Sequence, residues 1–154
     1  VMGNVCGAIA LEVGVAGGAD DVLVPEVNTD IDFLCDHLDK GFHHGRRSSI
    51  IVVAENGEAG GAFAIAHQVW QRLRRDYRVC VLGHIQRGGA PSARDRVTGS
   101  KFGALAVDTL AEGKSGFMVG ELDGKTCLTP LEQAFDGRRQ ADQSLLELAR
   151  RLTR

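Results

Sequence analysis

The run Ser49–Ala54, with the letters SIIVVA, constrains the fold more than any other part of this 154-residue sequence. It is apolar on both faces of an extended chain, which is typical of a central strand in a parallel sheet. Upstream of it, Ile31, Leu34, Cys35 and Leu38 recur at the spacing of an amphipathic helix. A parallel sheet needs helical crossovers between its strands, so this combination predicts an α/β fold.

The rest of the sequence continues the alternation, with glycine pairs at the ends of elements. We therefore predict a three-layer, Rossmann-like parallel sheet with helices on both faces. The expected helices and strands are a helix over residues 8–16 closed by Gly17-Gly18, a strand over 21–24, a helix from Thr29 or Asp30 to Gly41 or Gly45, a helix over 62–75 with Trp70 in the core, a strand over 78–82, a long helix capped by Ser92 and Asp95, a hairpin of residues 117–121 and 126–128 turned by Asp123-Gly124, and helical pieces at 131–135 and 145–152.

Composition excludes several classes of function. The formal net charge of −2 gives no reason to expect nucleic acid as a partner, and no apolar run is long enough for a membrane span. The four cysteines are widely spaced without a C-x-x-C pair, so we interpret them as reduced thiols of the core. Together these features lead us to expect a cytoplasmic protein.

Two side chains stand where ligands bind in an α/β fold, at the carboxyl ends of predicted strands. His84 ends one strand, and Arg87 and two glycines follow it, so nitrogen donors surround a loop that a phosphate or carboxylate could approach. A loop histidine beside a solvated arginine is about equally compatible with this spacing. Glu55 ends the other strand, as an acceptor for hydroxyl groups of a ligand or as a plain surface carboxylate.

Further positive charge lies elsewhere in the sequence. Arg78 begins the strand that ends at His84, so about 20 Å separates them, and Arg78 is either a surface charge or a contact to a neighbouring subunit's site. His43, His44, Arg46 and Arg47 form the densest basic cluster, which is either a solvated helix end or a second anion site. Because no third ligand stands at helical spacing from the two histidines, we predict no metal site.

Four segments together resemble a known family: VMGNVCG at residues 1–7, GGADDVLVPE at 17–26, GRRSSIIVVAE at 45–55 and VLGHIQRGGAPSARDR at 81–96. They resemble the C-terminal half of a bacterial-type, ATP-dependent 6-phosphofructokinase, over nearly the whole chain. The resemblance implies transfer of the γ-phosphoryl group of ATP, with Mg²⁺, to the 1-hydroxyl of fructose 6-phosphate in a cytoplasmic homotetramer.

The resemblance also implies roles for individual residues. Met2, Gly3 and Glu55 would contact the sugar, His84 and Arg87 its phosphate, and Arg78 the phosphate of an adjacent subunit's substrate. An allosteric site for an ADP-like nucleotide would use Gly18, Asp20, Arg46 and Arg47, with Asp20 near the magnesium bound to that nucleotide. No catalytic residue falls in this chain, because the segments resembling the ATP site and the catalytic aspartate are absent from it.

Two positions depart from the family pattern. Asn4 stands where the family usually has arginine, which removes a fixed charge and a forked donor. His44 stands where lysine or arginine is common, which would weaken the effector site or make it pH-dependent.

The resemblance divides the chain into three parts. Residues 1–87 would be most of the sugar-phosphate-binding small domain, residues 88–136 a returning segment of the large domain, and residues 137–154 a C-terminal helical segment that packs back on the small domain. Such a fragment is expected to be inactive on its own. The alternatives are a pyrophosphate-dependent phosphofructokinase and a non-catalytic module that binds a sugar phosphate or regulates a separate chain.

Overall fold

A computed structural model describes residues 1–55, 61–136 and 141–152. The described residues fall into two compact units, residues 1–87 with the C-terminal segment and residues 88–136. The predicted boundary after residue 136 adjoins residues 137–140 and lies outside the described residues. No helix in the described ranges is long and apolar enough to cross a membrane.

The first unit contains a parallel strand pair, β1 (Asp21–Leu23) and β2 (Ile51–Val53), in which Val22 lies opposite Val52. Helices cover both faces of this pair. On one face α1 (Ala8–Gly17) and α6 (Gln143–Leu152) pack around Val22, Val24 and Ala54. On the other, α2 (Ile31–His43) and α3 (Gly61–Leu73) pack against Leu23, Ile51 and Val53. This arrangement confirms the predicted α/β fold, because alternate strand residues serve different helical layers.

The predicted helix ends are confirmed where local chemistry determines them. Gly18 ends α1 in the left-handed region with φ of 66°, which costs glycine little. Asp30 begins α2, and its side chain accepts a hydrogen bond of 2.9 Å from the backbone N–H of Phe33. The buried side of α2 consists of Ile31, Leu34, Cys35 and Leu38, as the sequence spacing predicts.

The second unit consists of α4 (Ala93–Ala111), the antiparallel hairpin of β3 (Phe117–Leu122) and β4 (Lys125–Pro130), and the short α5 (Leu131–Asp136). Asp123 and Gly124 turn the hairpin with φ angles of 50° and 76°, as a type I′ turn requires. Among the described residues of this unit only Thr109 is buried. Its large exposed apolar side chains include Val97, Val107, Leu110, Met118 and Leu122.

Three sequence predictions are wrong. Residues 78–82 form no strand, because no described segment pairs with them. Trp70 does not lie in the core but is 40% exposed, because the side of α3 that packs against α2 carries Ile65 and Val69. The Arg74 guanidinium lies over the Trp70 ring, 4.7 Å from its centre. The four cysteines are not all core residues, because Cys80 is exposed on the unpaired segment while Cys35 is buried. All four thiols are free.

The capping box of α4 makes its first turn sensitive to acid. Hydrogen bonds from Ser92 lower the pKa of Asp95, whose carboxylate accepts from the Ser92 N–H at 2.7 Å. The carboxylate therefore stabilises the helix above the unfolded-state pKa of about 3.9, and this contribution is lost as pH falls through the lower folded-state value. We expect protection of the Ser92 amide from hydrogen exchange, measured relative to an unstructured peptide, to fall as the pH drops below about 4. The Asp95→Asn variant should lack this pH dependence, and an identical acid response in that variant would contradict the assignment.

Candidate functional site

The candidate site is built where β2 ends. The carbonyl of Val53 accepts a hydrogen bond of 2.6 Å from the Val1 nitrogen, and the Glu55 N–H donates to the Val1 carbonyl at 2.7 Å. These two bonds place Met2 and Gly3 next to Glu55, just beyond the end of β2. Glu55 is exposed at this end of the sheet.

A second contact joins this strand end to the sequence G-H-I-Q-R. Residues Gly83–Arg87 form a short 3-10 helix, and not the end of a strand as the sequence predicts. The Gln86 side chain accepts a hydrogen bond of 3.1 Å from the Met2 N–H and donates to the Gly83 carbonyl at 3.3 Å. The same turn carries His84 and Arg87, so Gln86 fixes it against the Met2–Gly3 backbone.

The residues after Gly3 are held by a carboxylate. Glu26, which follows β1, accepts from the Gly7 N–H through both oxygens, at 2.9 and 3.1 Å. A negative charge at the N-terminus of α1 is favourable for the helix dipole. A Cβ atom at Gly7 would lie 2.3 Å from a Val24 methyl group, and one at Gly3 would lie 2.6 Å from the Cys6 carbonyl oxygen. A side chain at either position would clash with its neighbours, so both positions require glycine.

Sequence reasoning missed Gln86 and Glu26 as parts of this site. Gln86 lies inside the motif that drew attention to His84 and Arg87, but its role depends on Met2, 84 residues away along the chain. Glu26 follows a strand, the position that singled out Glu55, and this was the one signal that could have identified it.

The charged side chains of the site face solvent. His84 and Arg87 are exposed, and neither side chain forms a hydrogen bond or ion pair with another described residue. An imidazole and a guanidinium on one short turn can both donate to the oxygens of a phosphate. Glu55 offers only acceptor oxygens when ionised, which suits hydroxyl groups. The arrangement can therefore bind a ligand that carries both a phosphate and hydroxyls.

Arg78 is not brought to this group within one chain. Residues 78–82 contain no turn or bend, so these four steps of extended chain separate Arg78 from the start of the His84–Arg87 turn by about 13 Å. The side chain of Arg78 is exposed and has no hydrogen bond or ion pair with the other described residues.

A second group of predicted residues lines a cavity of about 160 Å³ between α1 and α6. Gly18, Asp20 and Arg46 are brought together there, with Ala149 and Leu152 of α6 on the opposite side. The Arg46 guanidinium donates to one oxygen of Asp20, and the Ile50 N–H donates to the other at 2.6 Å. Arg47 does not line this cavity and instead lines another one beside β2.

The described residues do not fit a magnesium site. They contain no group of three or more histidine, cysteine, aspartate or glutamate side chains that could hold a metal ion. Both oxygens of Asp20, the residue expected near a nucleotide-bound magnesium, are already used by Arg46 and Ile50.

Comparisons with known proteins give the same family throughout. Residues 1–110 match the family model described as phosphofructokinase. An ATP-dependent 6-phosphofructokinase 1 of Thermus thermophilus is 46% identical over 149 residues, covering 97% of this chain and 46% of that protein. The solved phosphofructokinase of Pichia pastoris superposes with a TM-score of 0.75 at 29% identity, covering 99% of this chain and 18% of the other. A pyrophosphate-dependent phosphofructokinase of Nitrosospira multiformis has a TM-score of 0.74 at 21% identity, covering 92% and 40%, and shares the fold.

The matched region and the fold define an α/β protein in which helices cover both faces of a parallel strand pair. The chain belongs to the phosphofructokinase family. It spans about half the length of the curated relatives it matches.

Removing the Gln86 side chain should loosen the turn that carries His84 and Arg87. We expect Gln86→Leu to cost about 1 kcal/mol in local opening, because the Met2 N–H loses its acceptor. Hydrogen exchange at the Met2 amide should then be about fivefold faster. Gln133→Leu, an exposed position on α5, is the matched control and should leave the Met2 amide unchanged. Equal exchange rates in the parent and in Gln86→Leu would show that this hydrogen bond does not hold the turn.

Proposed function

We propose that this chain supplies the sugar-phosphate-binding part of an ATP-dependent 6-phosphofructokinase. The observation that carries the proposal is the hydrogen bond between Met2 and Gln86, because it joins the backbone beside Glu55 to the turn of His84 and Arg87. The complete enzyme would transfer the γ-phosphoryl group of ATP to the 1-hydroxyl of fructose 6-phosphate. Magnesium bound with ATP would supply charge neutralisation, and it would be held by residues outside this chain.

The residues of this chain would bind and orient the sugar. Arg87 and His84 donate hydrogen bonds to the 6-phosphate, since both are exposed and have no described partner. Glu55 accepts from sugar hydroxyls, and Met2 and Gly3 form the surface beneath the sugar. The close contact at Gly3 keeps this backbone where a larger residue would displace it.

The roles that the family resemblance implies for Arg78 and for the effector residues would be performed in the assembled enzyme. Arg78, which extended chain separates from the His84–Arg87 turn, would reach the phosphate in an adjacent subunit of a cytoplasmic homotetramer. Gly18, Asp20, Arg46 and Arg47 would take an ADP-like effector, which would have to displace the Asp20–Arg46 ion pair or bind alongside it. The unit of residues 1–87 with the C-terminal helix would be the small domain, and residues 88–136 would belong to the large domain.

ATP is favoured over pyrophosphate as the donor. The Thermus thermophilus relative named as ATP-dependent is 46% identical to this chain, whereas the pyrophosphate-dependent neighbour is 21% identical and shares the fold alone. The higher identity to the ATP-dependent relative supports ATP as the phosphoryl donor.

The phosphate-binding role of Arg87 is tested in the full-length protein. Removing one charge-assisted hydrogen bond costs about 1.5–3 kcal/mol, so Arg87→Ala should raise the KM for fructose 6-phosphate roughly tenfold to 100-fold. Arg96→Ala, an exposed arginine on α4, is the matched control and should leave the KM unchanged. An unchanged KM in Arg87→Ala would remove this residue from the substrate pocket.

The isolated 154-residue chain should show no phosphoryl transfer, because the segments that would resemble the family's ATP site and catalytic aspartate are absent from its sequence. A coupled assay of ATP consumption in the presence of fructose 6-phosphate measures this directly, with the full-length protein as the positive control. Consumption of ATP that depends on fructose 6-phosphate would overturn the assignment of catalysis to residues outside this chain.

A further inference from the structure

Two glutamates lie at the edge of the sheet where the candidate site is built, and their surroundings differ. Glu55 is exposed, and only its backbone N–H is used, by the Val1 carbonyl. Glu26 is partly buried, and both of its carboxylate oxygens accept from the Gly7 N–H. The Glu55 carboxylate is therefore accessible to a ligand, whereas the Glu26 carboxylate is bound to the protein itself.

Glu26 does for α1 what a helix usually does with one of its own residues. In a capping box, the third residue of the helix accepts a hydrogen bond from the backbone N–H of the residue before the helix. The third residue of α1 is Ala10, which is fully buried and has no acceptor in its side chain. The acceptor for the Gly7 N–H comes instead from Glu26, 19 residues further along the chain.

The segment that carries Glu26 is anchored on both sides. Glu26 lies in a turn after β1, in which the Val27 N–H donates to the Val24 carbonyl at 3.3 Å. Pro25 occupies the second position of this turn, where its fixed φ angle is favourable. Val24 is buried, and Val27 packs against the same apolar cluster. Because its own turn is held in place, the Glu26 carboxylate can fix the position of Gly7.

The position of Gly7 affects the backbone that we propose binds the sugar. Three residues separate Gly7 from Gly3. The chain turns back so closely that a Cβ atom at Gly3 would lie 2.6 Å from the Cys6 carbonyl oxygen and 3.6 Å from the Ala54 side chain. Cys6 is the residue directly before Gly7, so a shift of Gly7 would change the surface against which Gly3 packs.

We propose that Glu26 is a positioning residue for the backbone that binds the sugar. Its carboxylate holds Gly7, and the contact of Cys6 with Gly3 passes this restraint on to the sugar surface. The identity of the ligand in this inference rests on the proposed function. Glu26 itself does not touch the substrate, because both of its oxygens are used by Gly7.

The first measurement is hydrogen exchange in the full-length protein, which does not depend on the identity of the ligand. Glu26→Ala removes the acceptor of the Gly7 N–H, so the Gly7 amide should exchange about fivefold faster or more. The Met2 amide should exchange about threefold faster or more, because the restraint passes along the loop. Glu26→Gln keeps an acceptor oxygen and should leave both rates within about twofold of the parent.

Asp30→Ala is the matched control, because it removes a capping carboxylate from another helix of the same unit. The Asp30 side chain accepts from the Phe33 N–H at 2.9 Å at the start of α2. Loss of such a cap destabilises the helix that it begins. Asp30→Ala should therefore accelerate exchange at the Phe33 amide and leave the Gly7 and Met2 amides unchanged.

The second measurement separates positioning from a general loss of stability. A variant that only unfolds more easily contains less active enzyme and has a lower apparent kcat, whereas a displaced sugar surface raises the KM for fructose 6-phosphate. Glu26→Ala should raise this KM about fivefold or more and leave the KM for ATP unchanged. Glu26→Gln and Asp30→Ala should leave both KM values within about twofold of the parent.

Unchanged exchange at Gly7 or Met2 in Glu26→Ala would overturn the proposal, and so would faster exchange with an unchanged KM for fructose 6-phosphate. Equal effects of Glu26→Ala and Asp30→Ala on the loop would also overturn it, because the loop would then respond to any lost cap. If Glu26→Ala does not fold, Glu26→Asp takes its place under the same criteria, since its carboxylate is one methylene short of Gly7. A parent protein that does not consume fructose 6-phosphate would contradict the proposed function, and exchange at Met2 would still decide whether Glu26 positions this backbone.

Discussion

The parallel pairing of β1 with β2 is the interaction on which the first unit depends. The three residues of each strand direct their side chains alternately to the two faces, so Leu23, Ile51 and Val53 join α2 and α3 while Val22 joins α1 and α6. Full burial of one aliphatic side chain contributes about 1.5–3 kcal/mol, and each helix is too short to be stable alone in water. The helices therefore depend on the strands for an apolar surface, and the strands depend on the helices to exclude water.

The pairing also determines where the functional residues meet. Parallel strands end at one edge of a sheet, and Glu26 lies three residues after β1 while Glu55 lies two residues after β2. Glu26 fixes the Gly7 end of the N-terminal loop and the Glu55 backbone fixes its Val1 end. Gln86 then attaches the His84–Arg87 turn to the same loop. The His84 and Arg87 side chains, which we propose bind the phosphate, remain exposed and unpaired with described residues, while hydrogen bonds hold the backbone that carries them.

Local signals in the sequence predicted the elements whose ends are determined locally. The Asp30 cap, the Ser92–Asp95 capping box and the Asp123-Gly124 turn each bond within a few residues, so they could be recognised without the fold. Residues 78–82 could not be predicted in this way, because a strand exists only where another strand pairs with it. The joining of Met2 to Gln86 depends on chain packing that no spacing rule contains, and so does the lining of different cavities by Arg46 and Arg47.

The two backbone segments that carry the candidate site are joined through the Gln86 side chain. Val1 is bonded to β2 and leads into Met2 and Gly3, whereas residues 78–82 pair with no described strand and lead into the His84–Arg87 turn. A single hydrogen bond from Met2 to Gln86, on a turn that faces solvent, permits more movement than the ladder of a sheet. The spacing between the His84–Arg87 turn and the Met2–Gly3 backbone therefore depends on Gln86, a side chain that is not proposed to touch the ligand.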